Sequence, residues 1–198
     1  MGLGRIAGVC FGIVLPAVTA AGQQGGTAVV RRDLTHQVVD MNGRWQPTEI
    51  RSAEIRTIGP SERLEEETIR HPDVNGTMVV DEKSVTRRWE ENGREQTVIE
   101  TYSRDAAGYI RDDGRLELSR RVRITTTPTA GGGRDTVEEM EGRNPAAPTD
   151  PVRVVRRSVT TVREIGPDRW VTERQIFERD VNGRLVLVNK EREESTGK

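Results

Sequence analysis

The 198-residue chain carries 31 Lys+Arg against 32 Asp+Glu, and a net charge of -1 supplies no global field for capturing nucleic acid or an anionic membrane. Only 33% of its residues are hydrophobic and 4% aromatic, with two histidines and one cysteine, which leaves little material for apolar pockets, thiolate chemistry or histidine-rich metal centres.

Residues 1–22 differ from everything after them. Arg5 supplies a short positive start, Ile6 to Val18 is an apolar run interrupted by glycines and Pro16, and Val18-Thr19-Ala20 and Thr19-Ala20-Ala21 put small residues where a signal peptidase cuts. This predicts a secretory signal peptide and an exported product, periplasmic, envelope-associated or extracellular. The apolar run falls short of the roughly 18 residues of a membrane span, so no stable span is expected after cleavage; an uncleaved anchor is the alternative. Cleavage removes Cys10, leaving a mature chain with no disulfides and no thiolate sites. Residues 23–33, opening on Gln-Gln-Gly-Gly, are expected to be flexible.

Residues 34–127 form a first predicted β-hairpin region, 128–151 a Gly/Pro-rich connection, 152–194 a second hairpin region and 195–198 a tail. Valine dominates the apolar residues and threonine is frequent, which suits pleated strands better than helices. Strands are predicted near 50–58, 63–70, 77–89, 95–104, 116–126, 152–165, 170–178 and 184–191, with 135–141 a short strand or turn inside the connection. Residues 63–70 also suit a short helix capped by Ser61, but the matching stretch 170–177 is β-prone.

That match belongs to an internal repeat. Asp-x-Asn-Gly occurs at 40–43, 73–76 and 180–183, with variants at 105–108, 91–93 and 112–114; Asn and Asp tolerate a left-handed backbone, and Gly adopts it freely. Ile58-Gly59-Pro60 precedes Asp73 by 15 residues, and Ile165-Gly166-Pro167 precedes Asp180 by the same 15. Irregular spacing between units argues against a fixed-period solenoid. The predicted class is all-β: an antiparallel meander of long polar hairpins forming an open, twisted sheet with a thin core.

Catalytic signatures are weak. His36 and His71 lie far apart in sequence with no second ligand at helix or hairpin spacing, so neither a metal nor a cofactor is expected. Gly at the fourth position of Asp-x-Asn-Gly fits a hairpin better than a calcium loop. Paired carboxylates such as Glu65-Glu66-Glu67 lack the apolar surroundings that raise a catalytic pKa, and Gly131-Gly132-Gly133 lacks the lysine of a phosphate loop. No enzyme is indicated.

The side chains best suited to contact a ligand or partner are Trp45, Trp89 and Trp170, which can stack on a sugar ring or a protein surface, and Arg156 and Arg157 from the arginine-rich second region. Neighbours on a strand point to opposite faces, so Arg156-Arg157 does not by itself make a patch.

Tyr102-Ser-Arg-Asp105-Ala-Ala-Gly108 and Phe177-Glu-Arg-Asp180-Val-Asn-Gly183-Arg-Leu185 resemble the tyrosine-aspartate (YD) repeats of Rhs-type proteins, without the adjacent Tyr-Asp pair and without regular spacing. With its Asp-x-Asn-Gly hairpins the chain also resembles uncharacterised secreted bacterial proteins. The YD resemblance implies a shell or toxin-delivery role. The residues themselves favour a non-catalytic structural or protein-interaction module of the envelope whose polar strand edges add to a partner's sheet, with no nucleic-acid partner. A surface binder of glycans or polyanions is the alternative, and an envelope hydrolase ranks last.

Overall fold

The computed structural model describes residues 19–20, 28–104, 115–143 and 151–196. The expected signal segment except Thr19 and Ala20, residues 23–27, and the variant turns at 105–108 and 112–114 lie outside the described residues.

The strands are β1 (Thr19–Ala20), β2 (Val29–Val39), β3 (Trp45–Thr57), β4 (Arg63–Pro72), β5 (Met78–Glu91), β6 (Arg94–Ser103), β7 (Glu117–Pro128), β8 (Arg134–Gly142), β9 (Arg153–Gly166), β10 (Arg169–Arg179) and β11 (Leu185–Thr196). They form one antiparallel sheet in strict sequence order, an all-β meander that is not closed into a barrel. The two-residue β1 pairs only with Val30 and Arg31, so β2 and β11 are in effect the two ends of the sheet.

Two expectations are corrected. Residues 29–33 belong to β2 rather than to a flexible lead-in: Val30 pairs with the buried Ile55, and the Arg31 Nε donates to Glu54 Oε2 at 3.0 Å. The connection is not a break between hairpin regions, because β8 pairs with both β7 and β9; residues 129–133 make a turn in which Thr129 N–H donates to Gly133 O at 2.9 Å. Arg63–Pro72 is a strand paired on both sides, which excludes the helix weighed for it.

The three Asp-x-Asn-Gly segments fold alike. Asp40 C=O accepts from Gly43 N–H at 3.0 Å, and its Oδ1 accepts from Asn42 N–H at 2.8 Å and Arg44 N–H at 2.9 Å. Asp73 and Asp180 repeat the pattern, and Gly43, Gly76 and Gly183 sit at φ of 78°, 79° and 79°. This is a three-residue loop ending on a left-handed glycine. At Glu91-Asn92-Gly93-Arg94 the same Asn-Gly pair makes a two-residue turn instead, with Asn92 at φ 53° and Gly93 at 71°. The aspartate carboxylate, by capturing two backbone N–H groups, accompanies the longer loop.

Each of these hairpins carries a bulge eight residues past its aspartate. The register skips at Thr48, Asp81 and Val188, and bulges recur at Ser119 in β7 and at Val155 and Ile165 in β9. Beside three bulges an arginine at or just past the end of the following strand binds the preceding carbonyl: Arg104 Nε to Val80 O at 2.7 Å, Arg143 Nε to Leu118 O at 3.4 Å and Arg179 Nε to Val154 O at 2.7 Å. The widened backbone thus has its carbonyl satisfied by a side chain.

Cross-strand partners share a face. One face carries the row Ile55, Glu65, Thr86, Ile99, Val122, Met140, Arg156, together with the buried Thr97, Thr101, Ser158 and Ile176. The other carries a charge ladder: Glu100 accepts from Arg121 Nη2 at 2.6 Å, and Glu141 from Arg121 Nη1 at 3.3 Å. Among the described residues only Ile55 and Ile176 on the first face and Val171 on the other are buried hydrophobics, so the core is thin and relies on hydroxyl side chains as much as on apolar ones.

Candidate functional site

The five candidate side chains do not converge. Arg156 and Arg157 project to opposite faces. Arg157 lies 3.7 Å from Glu139, while Arg156 lines an open cavity of about 820 Å³ with Met140, Arg143, Arg153, Arg179 and the Asp180 turn. Arg179 spends its guanidinium on the carbonyls of Val154 and Gly183, at 2.7 and 2.6 Å, and forms no ion pair among the described residues. Arg153 and Arg156 form no ion pair among the described residues.

Trp89 and Trp170 both lie at the end of the strands near the 129–133 turn, on opposite faces of the sheet. Trp89 faces a shallow concavity shared with Pro60, Pro128 and Gly132, with the Arg87 guanidinium 5.3 Å from its ring centre. The Trp170 ring packs against Gly132, 3.5 Å from where a Cβ would stand. Trp45, 53% exposed, opens β3 beside the Asp40 turn, at the opposite end of the strands, so no three-tryptophan platform exists.

Sequence reasoning missed a cluster that joins the two histidines. His36 of β2 and His71 of β4 flank β3, and their Nε2 atoms lie 3.6 and 3.4 Å from the two carboxylate oxygens of Glu49; His71 Nδ1 lies 3.0 Å from Asp81 Oδ2. Arg51 Nε donates to Glu49 at 2.6 Å, and this bond, aided by both histidines, holds the carboxyl below the ordinary glutamate range. Of the histidine contacts only that between His71 Nδ1 and Asp81 is a hydrogen bond; the two Glu49 contacts are charge–ring approaches at a half-exposed surface. The described residues contain no group of three or more side chains arranged to hold a metal ion. No local spacing announces the cluster, because it is assembled by strand pairing across 35 residues.

The largest coherent feature is the pair of end strands. All twelve residues of β11 are exposed, including the run Leu185, Val186, Leu187, Val188. β2 exposes Leu34, Val38 and Val39, and β1 covers its outer side only at Val30 and Arg31. Each end strand offers a row of backbone donors and acceptors with apolar side chains at one end, the chemistry of strand addition.

Comparison with protein-family models, curated proteins and solved structures gives no match to this chain.

Proposed function

We propose that this is an exported, non-catalytic structural or protein-interaction module of the cell envelope, acting through its sheet ends. The observation that carries the reading is the open meander itself: β2 to β11 in sequence order, with β11 open along its outer side, β2 covered there only at Val30 and Arg31, and exposed apolar side chains on both. The leader-like residues 1–22 support export, and the thin polar core speaks for a scaffold that presents surface rather than for one that encloses a substrate. A proline at an outward-facing N–H of β11 is expected to abolish partner capture while leaving the circular dichroism and unfolding midpoint unchanged. Undiminished capture would sink the reading.

The arginine-lined cavity favours a second reading, binding of a glycan or polyanion, through Arg153, Arg156 and Arg179. Titration with a sulfated polysaccharide separates the two: saturable binding lost in Arg156→Ala supports it, and binding that survives this change does not.

A further inference from the structure

We propose that the chain assembles with copies of itself, the β2 end of one copy adding antiparallel to the β11 end of the next so that the meander continues across the boundary. This rests on the edge reading above and names its partner. Strand direction alternates from β2 to β11, so β11 runs opposite to β2, and a copy placed by simple displacement along the sheet meets β11 with an antiparallel β2. Such a copy keeps its faces continuous with the first. The registers put Arg32, Leu34 and His36 on the face of Ile55, and Asn189, Glu191 and Glu193 on that same face through Ser158 and Ile176.

Among face-matched alignments one is favoured by charge. Placing Glu193 against Arg32 also sets Arg192 against Asp33 and Glu194 against Arg31, three consecutive opposite-charge pairs. A slip of two residues one way opposes Arg192 with Arg31, and the other way opposes Glu194 with Asp33. Past the bulge at Val188 the pairing shifts by one residue, which brings Val186 beside Val38 and Leu185 beside Val39 on matching faces. Arg32, Asp33 and Glu193 make no ion pair among the described residues, while Arg31 and Arg192 hold only exposed ones, with side chains 71% and 58% accessible. β1 occupies the outer side of β2 at Val30 and Arg31, so release of Thr19–Ala20, which removal of the leader accomplishes, opens the whole strand. The contact is heterologous and unclosed, which gives chains of copies rather than a fixed dimer.

The test uses the full gene product, exported by its host and carrying Cys10→Ser. Arg32→Cys and Glu193→Cys, in separate chains, are expected to form a disulfide-linked dimer on mixing under mild oxidation, since cross-strand pairs meet the Cα spacing a disulfide needs. Both changes in one chain should give a ladder of covalent multimers. Arg32→Glu should weaken the concentration-dependent rise in mass by about tenfold, and Glu193→Arg should restore it. A double-cysteine chain that crosslinks only within itself, or a mass that stays monomeric at all concentrations, overturns self-assembly. If proline in β11 still abolishes capture of an envelope protein by that monomer, the edge reading stands without it; if proline changes nothing, both fall.

Discussion

The β4–β5 and β10–β11 hairpins start from nearly the same instructions and end in different circumstances. Both follow an Ile-Gly-Pro turn, both reverse on Asp-Val-Asn-Gly, and both bulge eight residues past the aspartate, at Asp81 and Val188. β5 lies between β4 and β6, and Met78 to Thr86 are half-buried; β11 has a neighbour on one side only and is exposed from end to end. Local sequence therefore fixes the turn, the register and the bulge, whereas burial and free hydrogen-bonding capacity come from position in the sheet.

The strongest way to break this contrast is proline. Most of β5 is paired on both sides, so Val85→Pro and Thr86→Pro should each cost on the order of 3 kcal/mol. In β11 successive N–H groups alternate between β10 and the outside, so one of Lys190→Pro and Glu191→Pro should behave like those and the other cost under about 1 kcal/mol, read from urea midpoints. Equal, large costs in β11 would mean that its outer side is already paired.

The next effect compares equivalent isoleucines, each four residues before its turn aspartate. Ile176 is 6% exposed and Ile69 half-buried, so Ile176→Ala should cost about 2–3 kcal/mol and Ile69→Ala clearly less, measured by thermal unfolding. Packing is thus expected to be firmer at β10, beside the outermost strand, than at β4 near the other end of the sheet.

The smallest effect concerns charge. Burial pushes the Glu100 carboxyl up, but the Tyr102 hydroxyl and then Arg121 outweigh it and hold it below the ordinary value of 4.5. A carboxyl lowered on folding contributes stability that is fully present above the unfolded value and is lost as pH falls through the lowered one. Glu100→Gln should therefore flatten the decline of stability at acid pH. Arg192→Gln, on the exposed hairpin, should cost less than about 1 kcal/mol at neutral pH.

Much of this architecture is legible in the residues. Asp-x-Asn-Gly gives the turns, valine and threonine give the strands, and the repeat decides Arg63–Pro72 in favour of β. β2 is hidden because Arg31-Arg32-Asp33 interrupts its apolar residues and because its support, Ile55 and Glu54, comes from the next strand. The bulges occupy Thr48, Asp81, Ser119, Val155, Ile165 and Val188, residues with no common chemistry; three fall eight residues past a turn aspartate, but residue type marks none of them. The His36, Glu49 and His71 cluster is likewise a product of register. The five contact candidates were identifiable by type, yet nothing local tells that Trp89 and Trp170 lie on opposite faces near one turn or that Arg156 and Arg157 part company.

Because almost every tertiary contact is between strands adjacent in sequence, the molecule has two very different mechanical directions. Pulling β11 sideways from its free end opens the ladder one hydrogen bond at a time, as a zipper opens. Pulling along the strands loads a whole ladder together, in shear. A chain of such sheets joined end to end would resist tension along its strands far better than tension across them, and would yield first, strand by strand, from its outermost hairpin.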